Sequence, residues 1–356
     1  MTKTIGLVSF SRNSGVLIPF FHYVSPLILG LIIYGLCFLA PGLFGQAAHA
    51  ASDDDDRLAA IVQVDAMVPP SARTAMGLGT NRTGTGVVID DEGLILTIGY
   101  VILEAIEVNV KGPDGRPMPA NIVAYDHETG FGLIRTNTPI HVKPMPLGNT
   151  ENVRVSDQLL VASRVGKLDA RGVYLVDRRP FAGYWEYLLD EALFTAPAYP
   201  QFGGAALIDR RGELVGIGSL IVGDKASRRS TSRAGNMFVP IDLLKPIMGD
   251  LLAQGRRADQ PHPWLGLFLE EYRGRIFVTR VAPDGPGQDA GMHVDDLILG
   301  IDGTVVNSLA EFYRTLWERG AAGIDAPFGV GRGRAAASTI VKSGDRYQYL
   351  RLDPTF

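Results

Sequence analysis

The 356-residue sequence contains a single cysteine, Cys37, which lies in an apolar N-terminal stretch. One cysteine cannot form an intramolecular disulfide or a thiolate metal site, so the fold must depend on burial of apolar side chains. Charged residues make up 20% of the chain and hydrophobic residues 46%, which is typical of globular proteins and not of disordered ones. A chain of this length can form two domains with hydrophobic cores.

Residues 1–50 lack aspartate and glutamate, and Lys3 and Arg12 are their only lysine or arginine. The run from Leu27 to Phe44 is almost wholly apolar, and the small-residue pattern Ala48-His49-Ala50 follows it. These features are typical of a signal peptide, so we predict cleavage after residue 50 and a periplasmic protein. The alternative is an uncleaved anchor in the inner membrane, because the apolar run is about long enough to span a bilayer.

The net charge of the whole chain is −4. Removing residues 1–50, with their two positive charges, leaves a remainder near −6. A mildly acidic protein of this kind is not expected to bind nucleic acid. The four aspartates Asp53–Asp56 open a segment, residues 51–75, that we predict to be a solvated N-terminal tail.

Short apolar runs separated by glycine, proline and aspartate extend from about Ala60 to Pro240. This spacing predicts an antiparallel β-sandwich or barrel. Within this region, Gly84–Val101 reads GTGVVIDDEGLILTIGYV and resembles the G-S-G-V-I-I-D-x-x-G-Y-I-L-T-N-x-H-V segment of HtrA/Deg-type serine proteases. Asp126–Arg135 and Pro200–Asp209 resemble that family's D-x-x-T-D-L-A-L-L-K and P-G-N-S-G-G-A-L-V-D segments.

The resemblance implies a mostly β protein with a trypsin-like double six-stranded β-barrel over residues 76–253. Its catalytic histidine, aspartate and serine positions hold Tyr100, Gly130 and Gly203, and a one-residue shift would place Phe202 at the serine position. Gln201 stands where the family has a glycine of the oxyanion loop. Acyl transfer on this scaffold needs a hydroxyl, an imidazole and a carboxylate, so the resemblance implies a degenerate triad and a pseudoprotease.

A second domain is predicted over residues 263–349, after a linker at residues 254–262. Trp264–Glu270 and Gln288–Gly303 resemble a PDZ domain of the HtrA type. A PDZ domain binds an extended peptide along one strand edge and holds its terminal carboxylate on main-chain N–H groups. The residues that the resemblance assigns to peptide binding are Trp264, Leu265, Gly266, Leu267, Leu309, Phe312, Tyr313 and Leu316.

The helix beside this groove is predicted over Ser308–Arg319, where apolar residues recur at helical spacing. The alternative role for Phe312 and Leu316 is packing in the domain core. The aromatic segment Phe181–Leu189 is predicted to be a hydrophobic plug between the barrels, and a lid over the former active site is the alternative.

His127 lies between Asp126 and Glu128 and is predicted to belong to a surface turn. Adjacent residues of a strand point to opposite faces, so the three cannot all bind one metal ion. We expect no metal and no cofactor. Lys225–Arg233 is predicted to be a flexible surface loop, with a docking site for an anionic partner as the alternative.

The predicted function is a non-catalytic periplasmic protein that binds peptides or partner proteins through its PDZ groove, as an adaptor, chaperone or regulator. The alternative is an active periplasmic serine-type endopeptidase of protein quality control, with a Ser or His recruited from elsewhere. HtrA relatives often form trimers through a segment that here corresponds to Val62–Arg82, so a homotrimer stays open. Association with the inner membrane follows if the N-terminal segment is uncleaved.

Overall fold

The computed structural model of the protein describes residues 57–223 and 234–350. The predicted signal peptide, the aspartate run and the basic segment Lys225–Arg233 lie outside these residues. In the part that is described, none of the helices has the length and apolar character needed to cross a membrane.

The first six strands form a closed barrel in the order β1-β2-β3-β6-β5-β4. β1 pairs with both β2 and β4, which closes the barrel, and Ile61, Val62 and Val64 of β1 are fully buried. The barrel therefore begins at residue 61, earlier than the predicted boundary at residue 76, because this apolar run is a strand and not part of a tail. The strands are β1 Ile61–Met67, β2 Asn81–Val88, β3 Leu94–Ile98, β4 Glu107–Lys111, β5 Pro117–Tyr125 and β6 Phe131–Thr136.

The next six strands form a second closed barrel in the order β10-β11-β12-β9-β8-β7. The two closed barrels confirm the predicted pair of six-stranded barrels. One continuous apolar core contains residues of both. Among the described residues, β8 and β9 form the longest hairpin. The last residues that pair in it are Gly183 and Tyr187. The strands are β7 Gln158–Val165, β8 Lys167–Gly183, β9 Tyr187–Ala196, β10 Ala206–Ile208, β11 Leu214–Val222 and β12 Gly235–Pro240.

The last six strands form an antiparallel sheet in the order β13-β14-β15-β17-β18, with β16 paired to β15. A separate apolar core lies beneath this sheet. The strands are β13 Leu267–Tyr272, β14 Arg275–Val281, β15 Leu297–Ile301, β16 Thr304–Val305, β17 Asp325–Arg332 and β18 Ala335–Lys342.

The described helices are short, and one of them was predicted as the wall of the peptide groove. They are α1 Ala75–Leu78, α2 Met248–Gln254, α3 Pro286–Asp289, α4 Leu309–Trp317 and α5 Arg346–Tyr349. Helix α4 confirms the predicted helix, and the hydroxyl of Ser308 caps it by accepting a hydrogen bond of 3.1 Å from Glu311 N.

Candidate functional site

The predicted histidine and serine positions face each other across the two barrels. Tyr100 lies in a 3₁₀ turn, Gly99–Val101, immediately after β3, and its hydroxyl donates a 3.0 Å hydrogen bond to the carbonyl of Ser219. Gly203 precedes β10, and a Cβ built on it would lie 3.0 Å from the same Tyr100 hydroxyl. A phenol therefore occupies the space next to the predicted nucleophile position.

The predicted aspartate position adjoins this pair. The carbonyl of Gly130 accepts a 2.7 Å hydrogen bond from Gly99 N, next to Tyr100 in the chain. Gly130 has a φ of +78°, and a Cβ built there would lie 3.6 Å from the hydroxyl of Tyr187. That hydroxyl donates a 2.7 Å hydrogen bond to Thr129 O. The space where a carboxylate would project is thus bordered by a buried tyrosine.

Aromatic side chains fill the cleft, which is the space between Tyr100, Gly130 and Gly203, and these side chains are uncharged. Any side chain at Gly99 would overlap the ring of Tyr125. Burial raises the pKa of Tyr100 and the pKa of Tyr187 well above the usual value for tyrosine. Both phenols are therefore protonated at neutral pH, and neither can accept a proton as an imidazole does.

A buried hydroxyl does lie near the predicted oxyanion position. Ser163 is fully buried, and its Oγ donates to Oε1 of Gln201 at 2.9 Å and lies 2.6 Å from the hydroxyl of Tyr199. An amide oxygen and a phenol are its partners. Neither activates a serine in the way that a general base does.

The predicted carboxylate-binding loop already holds a carboxyl group. Oε2 of Glu186 accepts a 2.9 Å hydrogen bond from Leu265 N, and Oε1 accepts one of the same length from Leu267 N. Further along β13, Leu269 N donates a 2.8 Å hydrogen bond to the carbonyl of Tyr184. The turn between β8 and β9, residues 183–187, therefore runs along the open edge of β13.

Helix α4 contacts the same turn from the other side. The hydroxyl of Tyr313 donates a 2.7 Å hydrogen bond to Gly183 O and accepts one of 3.2 Å from Glu186 N. The ring of Tyr184 lies 6.1 Å from that of Phe268. The turn thus lies between β13 and α4, in the predicted peptide groove.

The structure brings the predicted peptide-binding residues together, and apart from Gly266 their side chains are all buried. Gly266 itself has a φ of +71°, and a Cβ there would lie 3.2 Å from the Cβ of Ala282, so the loop requires glycine. Phe312 stacks on Phe328 at 5.9 Å in the domain core, as in the alternative assignment. The buried members are Trp264, Leu265, Leu267, Leu309, Phe312, Tyr313 and Leu316.

The aromatic segment between β8 and β9 contacts both the barrel core and the second domain. Trp185 and Tyr187 stack at 5.2 Å and pack on the barrel core, in agreement with a plug. The turn itself contacts the second domain, which neither the plug nor the lid interpretation included. Sequence analysis missed Glu186, although it is the only acidic residue within Phe181–Leu189 and stands between two aromatic residues.

The turn around His127, predicted to lie on the surface, is partly buried, which corrects that prediction. The His127 ring lies between the rings of Tyr125 and Tyr347, at 4.5 and 4.1 Å. Tyr347 belongs to α5, so the end of the second domain covers this turn of the first barrel. Among the described residues, no group of three or more His, Cys, Asp and Glu side chains is placed to hold a metal ion.

The neighbours of His127 form a partly buried ion cluster with the linker. Asp126 is fully buried and accepts from Thr129 N at 3.0 Å and from Nε of Arg257 at 3.2 Å. Nη1 of Arg257 lies 2.8 Å from the carboxylate of Glu128. Burial raises the pKa of Glu128 to about 7 in spite of this arginine. The linker between the domains is therefore fixed to the first barrel by charge as well as by packing.

Comparison with known families agrees with this architecture. Residues 84–217 match the family described as a trypsin-like peptidase domain, and residues 263–342 match the PDZ domain family. Together they define a trypsin-like peptidase scaffold followed by a PDZ domain. In this combination the chain is similar to HtrA-type proteases.

Individual relatives support the same assignment. The serine endoprotease DegS of Escherichia coli K12 is 29% identical over 251 residues, which is 64% of this chain and 69% of DegS. A DegP-like periplasmic serine endoprotease of Pseudomonas fulva is 25% identical over 262 residues, and the match spans 66% of this chain but only 51% of that protein.

Solved structures show the same fold. The HtrA-type protease AlgW with a decapeptide superimposes with a TM-score of 0.50 at 21% identity, over 83% of this chain and 98% of the other. An AlgW variant with a tripeptide gives a TM-score of 0.51 at 22% identity, over 83% of this chain and 97% of the other.

Proposed function

We propose that this protein is a non-catalytic HtrA-type protein that binds peptides or partner proteins through its PDZ domain, as an adaptor, chaperone or regulator. The observation that carries the proposal is the pairing of Tyr100 with Gly203, with Gly130 beside them, where the family resemblance puts base, nucleophile and acid. None of these residues has the group that its catalytic role requires.

The chemistry of the cleft supports the absence of acyl transfer. The Tyr100 hydroxyl donates to the Ser219 carbonyl, and burial raises its pKa, so its oxygen is not a base at neutral pH. Gly203 has no hydroxyl. Loss of one triad member lowers the rate by several orders of magnitude, and the losses of members that act as a unit overlap rather than add.

Peptide binding is supported by the second domain. It has a β13 edge, a helix α4 opposite it, and a loop around Gly266 whose N–H groups point at a carboxyl group. Main-chain N–H groups in such a loop suit the terminal carboxylate of a peptide, and the strand edge suits its extended backbone. AlgW, of the same fold, has been solved with a tripeptide and with a decapeptide.

The proposed absence of catalysis is tested on the full chain with a fluorophosphonate probe and with casein. We expect no covalent label and no casein fragments, because no activated hydroxyl stands in the cleft. Label and casein fragments that are both present with the wild type and absent with Ser163→Ala would establish the second candidate function, a serine endopeptidase. The name of DegS favours that candidate, and Ser163 is the buried hydroxyl beside Gln201.

We also propose a periplasmic location. The N-terminal pattern of residues 1–50 and the periplasmic designation of the DegP-like relative support it. Release of the protein by osmotic shock is expected if the segment is cleaved, whereas an anchored protein would stay with the inner membrane. Retention of the protein in the cytoplasm would contradict the proposal.

A further inference from the structure

The PDZ loop of this protein is occupied by a carboxyl group of the same chain. Glu186 is 6% exposed, and its two carboxyl oxygens each accept a 2.9 Å hydrogen bond, one from Leu265 N and one from Leu267 N. These are the N–H groups that a terminal carboxylate of a bound peptide would use. The loop cannot give the same two hydrogen bonds to a second carboxylate.

The backbone around Glu186 also follows the path of a bound peptide. The carbonyl of Tyr184 accepts from Leu269 N, two residues beyond Leu267 on the same strand edge. Alternate N–H groups of an edge strand point outward, so this spacing is that of an added strand. Tyr313 of α4 holds the opposite side through Gly183 O and Glu186 N.

Apolar contacts help to stabilise the docked turn, and its backbone conformation shows that stabilising contacts are needed. Ala182 and Leu188, on either side of it, are partly buried against the apolar core of the second domain. Glu186 has a φ of +58°, a left-handed backbone conformation that is unfavourable for a residue with a side chain. Such a conformation persists only where surrounding contacts outweigh its cost. Here those contacts are the hydrogen bonds to the loop and to Tyr313.

We propose that residues 183–187 are the resident ligand of the PDZ groove, and that an external peptide with a free terminal carboxylate binds by displacing them. The inference rests on the proposed peptide-binding function. A ligand tethered in the same chain competes at an effective concentration on the order of millimolar, which weakens the apparent affinity of an external ligand. Displacement would also uncouple the β8–β9 hairpin from the second domain.

The test compares variants of the full chain. Glu186→Ala removes the carboxyl group, and Glu186→Gln keeps the shape of the side chain. Asp190→Asn is the matched control, because Asp190 lies on β9 and pairs with Arg314 of α4 at 2.6 Å, but its side chain is 85% exposed and lies outside the loop. Gly266→Asp blocks the loop itself.

The probes are two pools of fluorescein-labelled random decapeptides, one with free C-terminal carboxylates and one with amidated ends, measured by fluorescence anisotropy. We expect Glu186→Ala to bind the free-carboxylate pool at least tenfold more tightly than the wild type. Asp190→Asn should match the wild type, and the amidated pool should show no gain. Gly266→Asp added to Glu186→Ala should abolish the gain.

Amide hydrogen exchange by NMR separates the inference from the proposed function. Without peptide, the amides of Leu265, Leu267 and Leu269 should exchange faster in Glu186→Ala than in the wild type. Faster exchange with no binding of either pool would support the resident ligand and refute peptide binding. Unchanged exchange, or equal affinities of wild type and both Glu186 variants, would overturn the resident ligand while leaving peptide binding intact. Dispersed spectra of both Glu186→Ala and Glu186→Gln exclude misfolding as the cause.

Discussion

At the scale of single residues, one glycine shows how closely aromatic rings have packed into the barrel cleft. Gly99 precedes Tyr100 and lies directly against the ring of Tyr125, and a Cβ on Gly99 would also come within 3.0 Å of Gly130 O. A backbone can approach a ring this closely only where no side chain intervenes. The packing of the cleft therefore depends on a residue with no side chain of its own.

Gly99→Ala is expected to lower the free energy of unfolding by about 2 kcal/mol, because overpacking forces the ring or the backbone to shift. Urea denaturation followed by circular dichroism measures the change. Gly249→Ala is the matched control, since Gly249 lies in α2 with no atom within 4 Å of a built Cβ. There alanine should raise stability by up to about 1 kcal/mol. Equal midpoints for the two variants would contradict this account of the cleft.

The identities at positions 100, 130 and 203 can be read from the sequence because the flanking motifs fix the alignment. The sequence does not show what fills the space around them. Tyr187 borders Gly130 although it is more than fifty residues away in the chain, and a long-range side-chain contact of this kind has no local signal.

At the scale of elements, the β8–β9 hairpin links the barrel to the second domain. Its pairing register shifts twice, between Leu175 and Asp177 and between Arg179 and Phe181. Each irregularity changes which face a side chain points to and bends the strand. A period-two pattern therefore breaks inside β8, and the sequence could not predict where the turn would lie.

The docked turn is expected to respond to pH. Burial outweighs the N–H donors and nearby Arg346 and raises the pKa of Glu186 to about 7. A carboxyl group whose pKa is higher when docked stabilises docking fully below its ordinary pKa of about 4.5, and this contribution is lost as the pH rises through about 7. Glu186 lines a small cavity between the first barrel, the linker and the second domain. The other titratable or charged side chains that line it are His127, Glu128, Tyr187, Arg256, Arg257, Asp259, His262, Arg346 and Tyr347.

The affinity of the wild type for the free-carboxylate pool should therefore rise between pH 6 and pH 8, as measured by anisotropy. A terminal carboxylate is already ionised throughout this range. Glu186→Gln should show a flat profile. Glu128 also has a pKa raised to about 7, so it could produce a similar pH profile. If Glu186 is the group responsible, Glu128→Gln should keep the pH response. A pH response that persists in Glu186→Gln would refute the assignment.

At the scale of the whole molecule, the linker is a structural part of the first barrel. Arg257 pairs with Asp126, which is fully buried, and with Glu128. Removing one partner of a buried ion pair leaves an uncompensated charge, whereas an exposed pair contributes little.

Arg257→Ala should lower the free energy of unfolding by about 3 kcal/mol, measured by urea denaturation. Arg135→Ala is the control, because Arg135 pairs with Glu92, whose side chain is 80% exposed. Its loss should cost less than about 1 kcal/mol. Similar effects of the two substitutions would show that the linker cluster does not stabilise the molecule.

The domain order and both barrels were predictable because strand spacing and family motifs are local properties of the sequence. The burial of His127 was not, because α5 covers it from more than two hundred residues away. The occupant of the peptide groove was not predictable either, because the turn that lies in it belongs to the barrel domain.

One peptide bond joins Glu186, held by the PDZ loop, to Tyr187, which borders Gly130. A carboxylate side chain at position 130 would extend from a Cβ that already lies 3.6 Å from the Tyr187 ring and hydroxyl, so it would shift this tyrosine and, through it, Glu186. We therefore expect a side chain at position 130 to disturb the PDZ loop as well as the barrel cleft.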